Sequence, residues 1–284
     1  MISATDKPWN SATTLYIARK LNELADATPG RKLDVLDLGC GEGTVMAQLV
    51  DYGYKLHGYD LSERKDVLKT RLGAHFGDTF EDRIRIAPDE RTIPFPNASF
   101  DVIYANQVFE HVKFLDCVYA ECARVLRPGG VVITLFPLAT YPVELHARIP
   151  FAHWLPPGRV RIAYLQCFYA LGLRPRWKDL SAHETAVHWD ETLRKICYYR
   201  FMNEIQELSE YYFEGWQFDT HAYIRAKIDL MAANPSAMRR KAGALLEACE
   251  GSVLDYLITH FFGAVLVLKS PRAKPQTHEF PHAH

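Results

Sequence analysis

Residues 35 to 44 read "VLDLGCGEGT": an apolar run closes on an acid, and Gly39, Gly41 and Gly43 then alternate with larger residues. Glycine reaches the left-handed backbone region without a Cβ clash and lets a ligand approach the main chain, at a cost in conformational entropy. A chain that forgoes three side chains within five positions is turning against something. Upstream, Leu33, Val35, Leu36 and Leu38 are packed closely enough for a strand buried on both faces, and downstream "TVMAQLVDYG" has the apolar spacing of a helix. The decapeptide is therefore predicted to turn from a buried strand into a helix, the place where a parallel sheet holds a nucleotide-like ligand.

Working outward, residues 14 to 27 have the period of an amphipathic helix, and "YKLHGYDLS" (54 to 62) predicts a second strand ending at Asp60, followed by the charged helical stretch "ERKDVLKTRL". "RIRIAP" (83 to 88) and "SFDVIYANQ" (99 to 107) read as strands and 114 to 126 as a helix; "RPGG" then reads as a stop and "VVITLFP" as a further strand. Such alternation argues for an α/β sheet with helices on both faces. From 138 the rhythm breaks. "LATYPVELHARIPFAHWLPPGRVR" is rich in proline, aromatics and histidine, as expected of a lid or insertion. Helical patterns follow at about 184 to 212 and 221 to 249, separated by "FEGWQFDT"; an apolar strand near 262 to 269 precedes a loose tail, "SPRAKPQTHEFPHAH".

With 284 residues, 48% of them hydrophobic and 24% charged, the chain can bury a large core and is expected to form one domain with a subdomain. Its 33 basic and 34 acidic residues leave a net charge of -1, so there is no basic field to gather nucleic acid or an anionic membrane. Six scattered cysteines with no CxxC pair and no signal peptide fit reduced thiols in the cytoplasm. The most apolar segment, "FFGAVLVL" at 261 to 268, is far shorter than the roughly 20 residues of a membrane-spanning helix.

The glycine spacing runs Asp37, Gly39, Gly41, Gly43, with Thr44 where the dinucleotide fingerprint GxGxxG wants glycine, which disfavours a nicotinamide-dependent oxidoreductase. Four segments in order, "VLDLGCGEG", "GYDLS", "PDERTIPFPNASFDVIYANQVFEHV" and "RVLRPGG", resemble the class I S-adenosylmethionine-dependent methyltransferases, specifically the small-molecule group of methyltransferase type 11. The resemblance covers residues 33 to 137. It implies a doubly wound, mostly parallel seven-stranded α/β sheet of Rossmann-like form with a helical lid after the fifth strand. The corresponding division is an N-terminal and cofactor-binding core at 1–137, a lid and substrate-binding insertion at 138–250, a final strand within 251–270 and a tail at 271–284.

The same resemblance implies S-adenosyl-L-methionine as cofactor, S-adenosyl-L-homocysteine as product and no metal. It assigns Asp60 to the ribose hydroxyls, where a carboxylate forms charge-assisted hydrogen bonds. Asp89 is assigned to the adenine amino group, with Glu90 giving a main-chain contact. Asp37 and the backbone at Gly39 and Asn106 are assigned to the methionine portion, and Cys40, Gly41, Gly43, Leu61, Gln107 and His111 complete the cofactor set. His111 in "FEHV" is the first candidate to handle a proton at the acceptor, and the lid histidines His146, His153 and His183 are individually weaker ones. Phe151, Trp154, Pro156 and Tyr164 offer apolar walls, and Arg148, Arg159 and Arg161 offer donors for a carboxylate or phosphate.

The function implied is methyl transfer to a small molecule, with an oxygen acceptor (hydroxyl or carboxylate) ahead of nitrogen or carbon. A methyltransferase-like subunit that only binds is the non-enzymatic alternative. Base methylation is disfavoured, since no "NPPY"-type or "DPPY"-type sequence follows the fourth strand. The partners expected are the small-molecule acceptor, no nucleic acid, no membrane span and, as the optional assembly, a homodimer.

Overall fold

A computed structural model describes residues 11–61, 64–87, 89, 91–248, 251, 256–257, 259 and 264–272. Glu90, the last of the six cysteines (Cys249) and the tail from 273 onward lie outside the described residues. The elements in chain order are α1 (Ala12–Asp26), β1 (Asp34–Leu38), α2 (Thr44–Leu49), β2 (Lys55–Asp60), α3 (Lys65–Phe76), α4 (Phe80–Arg83), β3 (Ile84–Ile86), β4 (Phe100–Asn106), α5 (Leu115–Val125) and β5 (Leu126–Phe136). The chain continues through β6 (Val143–Glu144), β7 (Ile149–Pro150), α6 (Arg159–Ala170), α7 (Ala182–Ile196), α8 (Met202–Tyr212), β8 (Phe213–Phe218), α9 (Thr220–Ala232), α10 (Ala237–Ala248) and β9 (Ala264–Pro271).

Seven strands form one sheet in the order β3-β2-β1-β4-β5-β9-β8, parallel through β5 and antiparallel at β9 and β8. Because successive side chains of a strand face opposite sides, the unbroken apolar runs feed two cores at once. Val35, Leu56, Ile84, Val102 and Ile133 pack against α1, α2, α3 and α9, whereas Leu36, Leu38, Ile103, Ala105 and Val132 pack against α5 and α8. Strand order reverses between β1 and β4, which opens a crevice at their carboxyl ends.

Two segments depart from the expectations above. "RPGG" does not stop the chain between elements. It lies inside β5, which pairs Leu126 with Phe100 and then, after a register shift, Val131 with Val102. Gly129 at φ 77° makes that bulge, and a Cβ on Gly130 would stand 2.9 Å from the Arg127 carbonyl. "FEGWQF", read as a separator between helices, forms the edge strand β8. The helical pattern on either side misled because, after the buried Phe213, this strand leaves its residues exposed or only partly buried.

Between β5 and α8 the chain leaves the sheet and builds a cap. Its small core gathers Ile149, Leu165, Tyr169 and Ala186 from β7, α6 and α7. A buried ion pair fastens the two helices: Arg161 Nε lies 2.7 Å from Asp190 Oδ1, and the Gly158 N–H and the Arg194 guanidinium, each at 3.0 Å, also reach that carboxylate. α7 and α8 are not continuous. The break at 197–201 lets α8 return Ile205 and Leu208 to the sheet, and it carries Cys197 and Tyr199.

Candidate active site

The crevice holds a cavity of about 350 Å³ whose walls come from the carboxyl ends of β1, β2 and β4. Gly39 and Gly41 line it at φ 73° and 52°. A Cβ on Gly39 would stand 2.4 Å from Val108 Cγ2, whereas one on Gly41 would meet no atom within 4 Å, so the space opposite Gly41 belongs to the cleft rather than to packing. The turn is pinned by the Gly39 and Cys40 N–H groups donating to the Tyr59 carbonyl, at 2.8 and 3.1 Å. The Gly41 N–H donates to Asp60 Oδ2 at 2.7 Å, so the acid ending β2 is held against the glycine turn. Leu38, Leu61, Val108, Val112 and Val118 give the cavity apolar walls.

Of the other expected cofactor residues, Gln107 lines the cavity with φ 56°, its N–H donating to the Leu135 carbonyl at 2.8 Å. Asn106 precedes it, paired with Leu135 in the sheet. Asp37 is buried and accepts from the Tyr104 hydroxyl at 2.8 Å. Burial pushes its carboxyl up to about 8, with the nearby Asp60 charge adding to the rise and the Tyr104 hydrogen bond opposing it.

Three expected residues are placed elsewhere. Cys40 lies in the core, where burial raises its thiol, so it packs rather than faces the cleft. Gly43 serves packing: a Cβ there would meet Leu72 and Leu68 at 2.8 and 2.9 Å. Asp89 is half exposed and outside the cavity wall, its carboxylate accepting from the Arg91 N–H at 3.0 Å and Nε at 3.3 Å. Those bonds hold its carboxyl below the usual carboxylate range. Its main-chain carbonyl accepts from the Tyr59 hydroxyl at 2.6 Å.

His111 stands at the mouth of the cavity, one-third exposed. Its Nδ1 lies 2.6 Å from the Ile196 carbonyl, which can only accept, so Nδ1 carries the proton and Nε2 is left with a lone pair. Burial lowers its pKa. The His146 ring is 5.1 Å away, edge to face. His146 Nδ1 is 2.7 Å from Glu144 Oε1 and 3.6 Å from Cys197 Sγ, and those two groups hold its proton up to about 10, sulfur first. Glu144, fully buried, also accepts from the Tyr199 hydroxyl at 2.8 Å and from the Ala147 N–H. Burial would raise its carboxyl, but the bonds from His146 and Ala147 outweigh that and hold it low.

Sequence reasoning missed Glu144, Cys197, Tyr199 and the neighbouring Glu110. Glu110 is buried, pushed up to about 7 by that burial, and its Oε2 finds no partner among the described residues. The one local signal was "ELH", which sets Glu144 two residues before His146.

A second cavity, of about 550 Å³, lies under the cap between Trp154, His153, Tyr199 and Cys197. Trp154 is half exposed and donates its indole N–H to the Ala139 carbonyl at 2.8 Å. His153 faces this cavity rather than the first, its Nε2 3.2 Å from the same carbonyl. Phe151 packs against Trp154 with ring centres 4.7 Å apart and planes tilted by 41°. Tyr164 is bound to the Pro150 carbonyl within the cap, and Arg148 is exposed; neither lines either cavity. Arg161 is committed to Asp190, and His183 pairs with Gln166.

Residues 36–134 match the family described as methyltransferase domain. A sterol 4-C-methyltransferase of Caenorhabditis elegans, strm-1, is 37% identical over 119 residues, 42% of this chain and 33% of that one. The 27-O-demethylrifamycin SV methyltransferase of Amycolatopsis mediterranei is 28% identical over 185 residues, 63% of this chain and 68% of its own. A ubiquinone biosynthesis O-methyltransferase of Mesorhizobium japonicum is 34% identical over 107 residues, 37% of this chain and 41% of its own. The chain therefore spans less than half the length of two of these three relatives. The segment that matches the methyltransferase domain family contains the glycine turn, Asp60 and every wall of the first cavity.

Proposed function

We propose that the chain binds S-adenosylmethionine in the first cavity and directs methyl transfer to an oxygen of a small molecule admitted beneath the cap. The observation that carries this reading is the cradle of Gly39, Gly41 and Asp60 at the carboxyl ends of β1 and β2. It fits an adenosyl cofactor: Gly41 leaves open space beside main chain, Asp60 offers a carboxylate beside it, and Leu38, Val112 and Val118 offer apolar surface for a base. When bound, the cofactor supplies a sulfonium methyl already activated toward nucleophiles.

The chain's own task is then positioning and the exclusion of water. Asp60 takes the ribose hydroxyls. Asp37, Gln107 and the backbone at Gly39 and Asn106 hold the amino-acid end. At the mouth, the Nε2 lone pair of His111 takes the proton of an incoming hydroxyl, and His146 stands behind it. Phe151 and Trp154 wall the acceptor entrance. The oxygen preference rests on His111, because an acceptor that must lose a proton needs such a group. Among the described residues no helix is long and apolar enough to cross a membrane; the reading places the protein in the cytoplasm, with a small-molecule acceptor and no nucleic acid.

Calorimetric titration tests the cofactor half directly. S-adenosylmethionine and S-adenosylhomocysteine bind with one-to-one stoichiometry and NAD does not compete; absence of heat from both adenosyl compounds at high micromolar concentration overturns the reading.

A further inference from the structure

Among the described residues, one group of three His and Cys side chains brings its ligand atoms together, on the cap side of His111. A ring nitrogen of His111, a ring nitrogen of His146 and the sulfur of Cys197 all lie within 4.8 Å of one another, and each of these residues is partly buried. They come from three distant stretches: the turn after β4, the loop after β6 and the end of α7. The His146 Nδ1 to Cys197 Sγ separation of 3.6 Å matches the edge of a tetrahedron built from a metal–nitrogen bond of about 2.0–2.1 Å and a metal–sulfur bond of about 2.3 Å. Nδ1 of His146 also faces Glu144 Oε1 at 2.7 Å, and the Tyr199 hydroxyl completes the group at 3.5 Å. His146 Nδ1 donates its proton to Glu144 Oε1; a cation that displaces this proton meets the Nδ1 lone pair beside the Cys197 sulfur and the carboxylate.

We propose that His111, His146 and Cys197 form a binding site for a borderline-soft divalent cation of the zinc class. Two imidazoles and a thiolate are the ligand set that selects zinc over magnesium or calcium. Three protein ligands leave a fourth position open to water or to a heteroatom. Glu144 supplies the surrounding negative charge and is itself anchored by Ala147 and Tyr199. The Ile196 carbonyl fixes the His111 ring so that Nε2 is the nitrogen available. His111 lines the first cavity and Cys197 the second, so the ion sits at the partition between them. The site stands apart from the cofactor reading, but the Nε2 lone pair of His111 serves either an ion or an acceptor's proton, so a bound ion and proton abstraction by His111 exclude one another.

The test uses the full chain, stripped with a chelator and titrated with Zn²⁺ against a chromophoric competitor, then with Co²⁺ followed by absorption. The expected result is one tight equivalent and a thiolate-to-cobalt charge-transfer band. That band separates the site from the histidines at His278, His282 and His284, which carry no sulfur. Cys197→Ser loses the band and the tight equivalent, and Glu144→Gln weakens binding roughly 10- to 100-fold. His111→Gln alters a ring at the mouth of a cavity and keeps the fold; it must lose the tight equivalent even if the Cys197 variant is unstable. A wild-type cobalt complex without the band, or a His111→Gln chain that binds as tightly as wild type, overturns the proposal. S-adenosylhomocysteine binding, measured separately, shows whether the cofactor reading stands or falls on its own.

Discussion

The two sides of His111 are built from different materials. Toward the sheet, the cavity is shaped by main chain: glycines at positive φ, N–H groups fixed on the Tyr59 carbonyl and on Asp60, all within a continuous strand–turn–helix–strand run. Toward the cap, the cluster is made of side chains, Glu144, His146, Cys197 and Tyr199, that meet only because the cap folds back onto the turn after β4. A main-chain site is rigid as soon as its strand and turn form. A side-chain site is only as well placed as the packing of the elements that carry it.

The strongest way to break that contrast is to remove what holds the cap. Asp190→Ala leaves the Arg161 guanidinium buried without its partner and is expected to cost about 3–5 kcal/mol. Denaturant unfolding checks the size, and calorimetry should find adenosyl binding retained, since no cavity-lining residue of the sheet side touches this pair. A loss below about 1 kcal/mol would show that the cap is held by its apolar core instead.

Next in size is Asp60→Ala, which removes charge-assisted hydrogen bonds worth about 1.5–3 kcal/mol and should weaken S-adenosylhomocysteine roughly 10- to 100-fold. The melting temperature should move little, and an unchanged dissociation constant would remove Asp60 from the site.

The smallest effect is the most specific. Asp37 keeps its proton to about 8 in the folded chain, whereas an unfolded carboxyl loses it near about 3.9. Between those values the native state holds the extra proton, so this group makes stability fall as pH rises from about 4 to 8. An ammonium group brought beside Asp37 expels that proton. Cofactor binding near pH 7 should therefore release close to one proton, and affinity should climb with pH, by at most about tenfold per unit, until it levels above 8. Titrations in two buffers of different ionisation heat measure the release, and none at all would mean that Asp37 does not meet the ammonium.

How much could be read beforehand follows from the same contrast. The strands to Phe136, the turn at Gly39 to Gly43, Asp60 and His111 were legible because buried parallel strands and glycine turns write themselves in adjacent residues. Glu144 and Cys197 were not: a carboxylate and a thiol 53 positions apart carry no shared pattern until β6 and α7 are packed together. Asp89 stands outside the cavity wall for a local reason, since Arg91 two residues on offers its carboxylate both a backbone and a side-chain donor. β8 escaped because an edge strand between two helices is flanked by helical periodicity and buries little of its own surface.

The position of β9 has a consequence for how the chain is assembled in time. It pairs with β5 on one side and β8 on the other, Val131 with Lys269 and Phe218 with Leu266. A chain emerging from its N-terminus can assemble the five parallel strands once residue 136 is out, yet β8 has nothing to pair with until residues 264–271 follow. Throughout synthesis of the cap, the open edge of β5 is exposed to strand addition by any passing chain. β9 thus acts as a late-arriving wedge that seals this edge and recruits β8 in one step, so premature termination anywhere between the cap and β9 yields a species with a sticky, half-finished sheet.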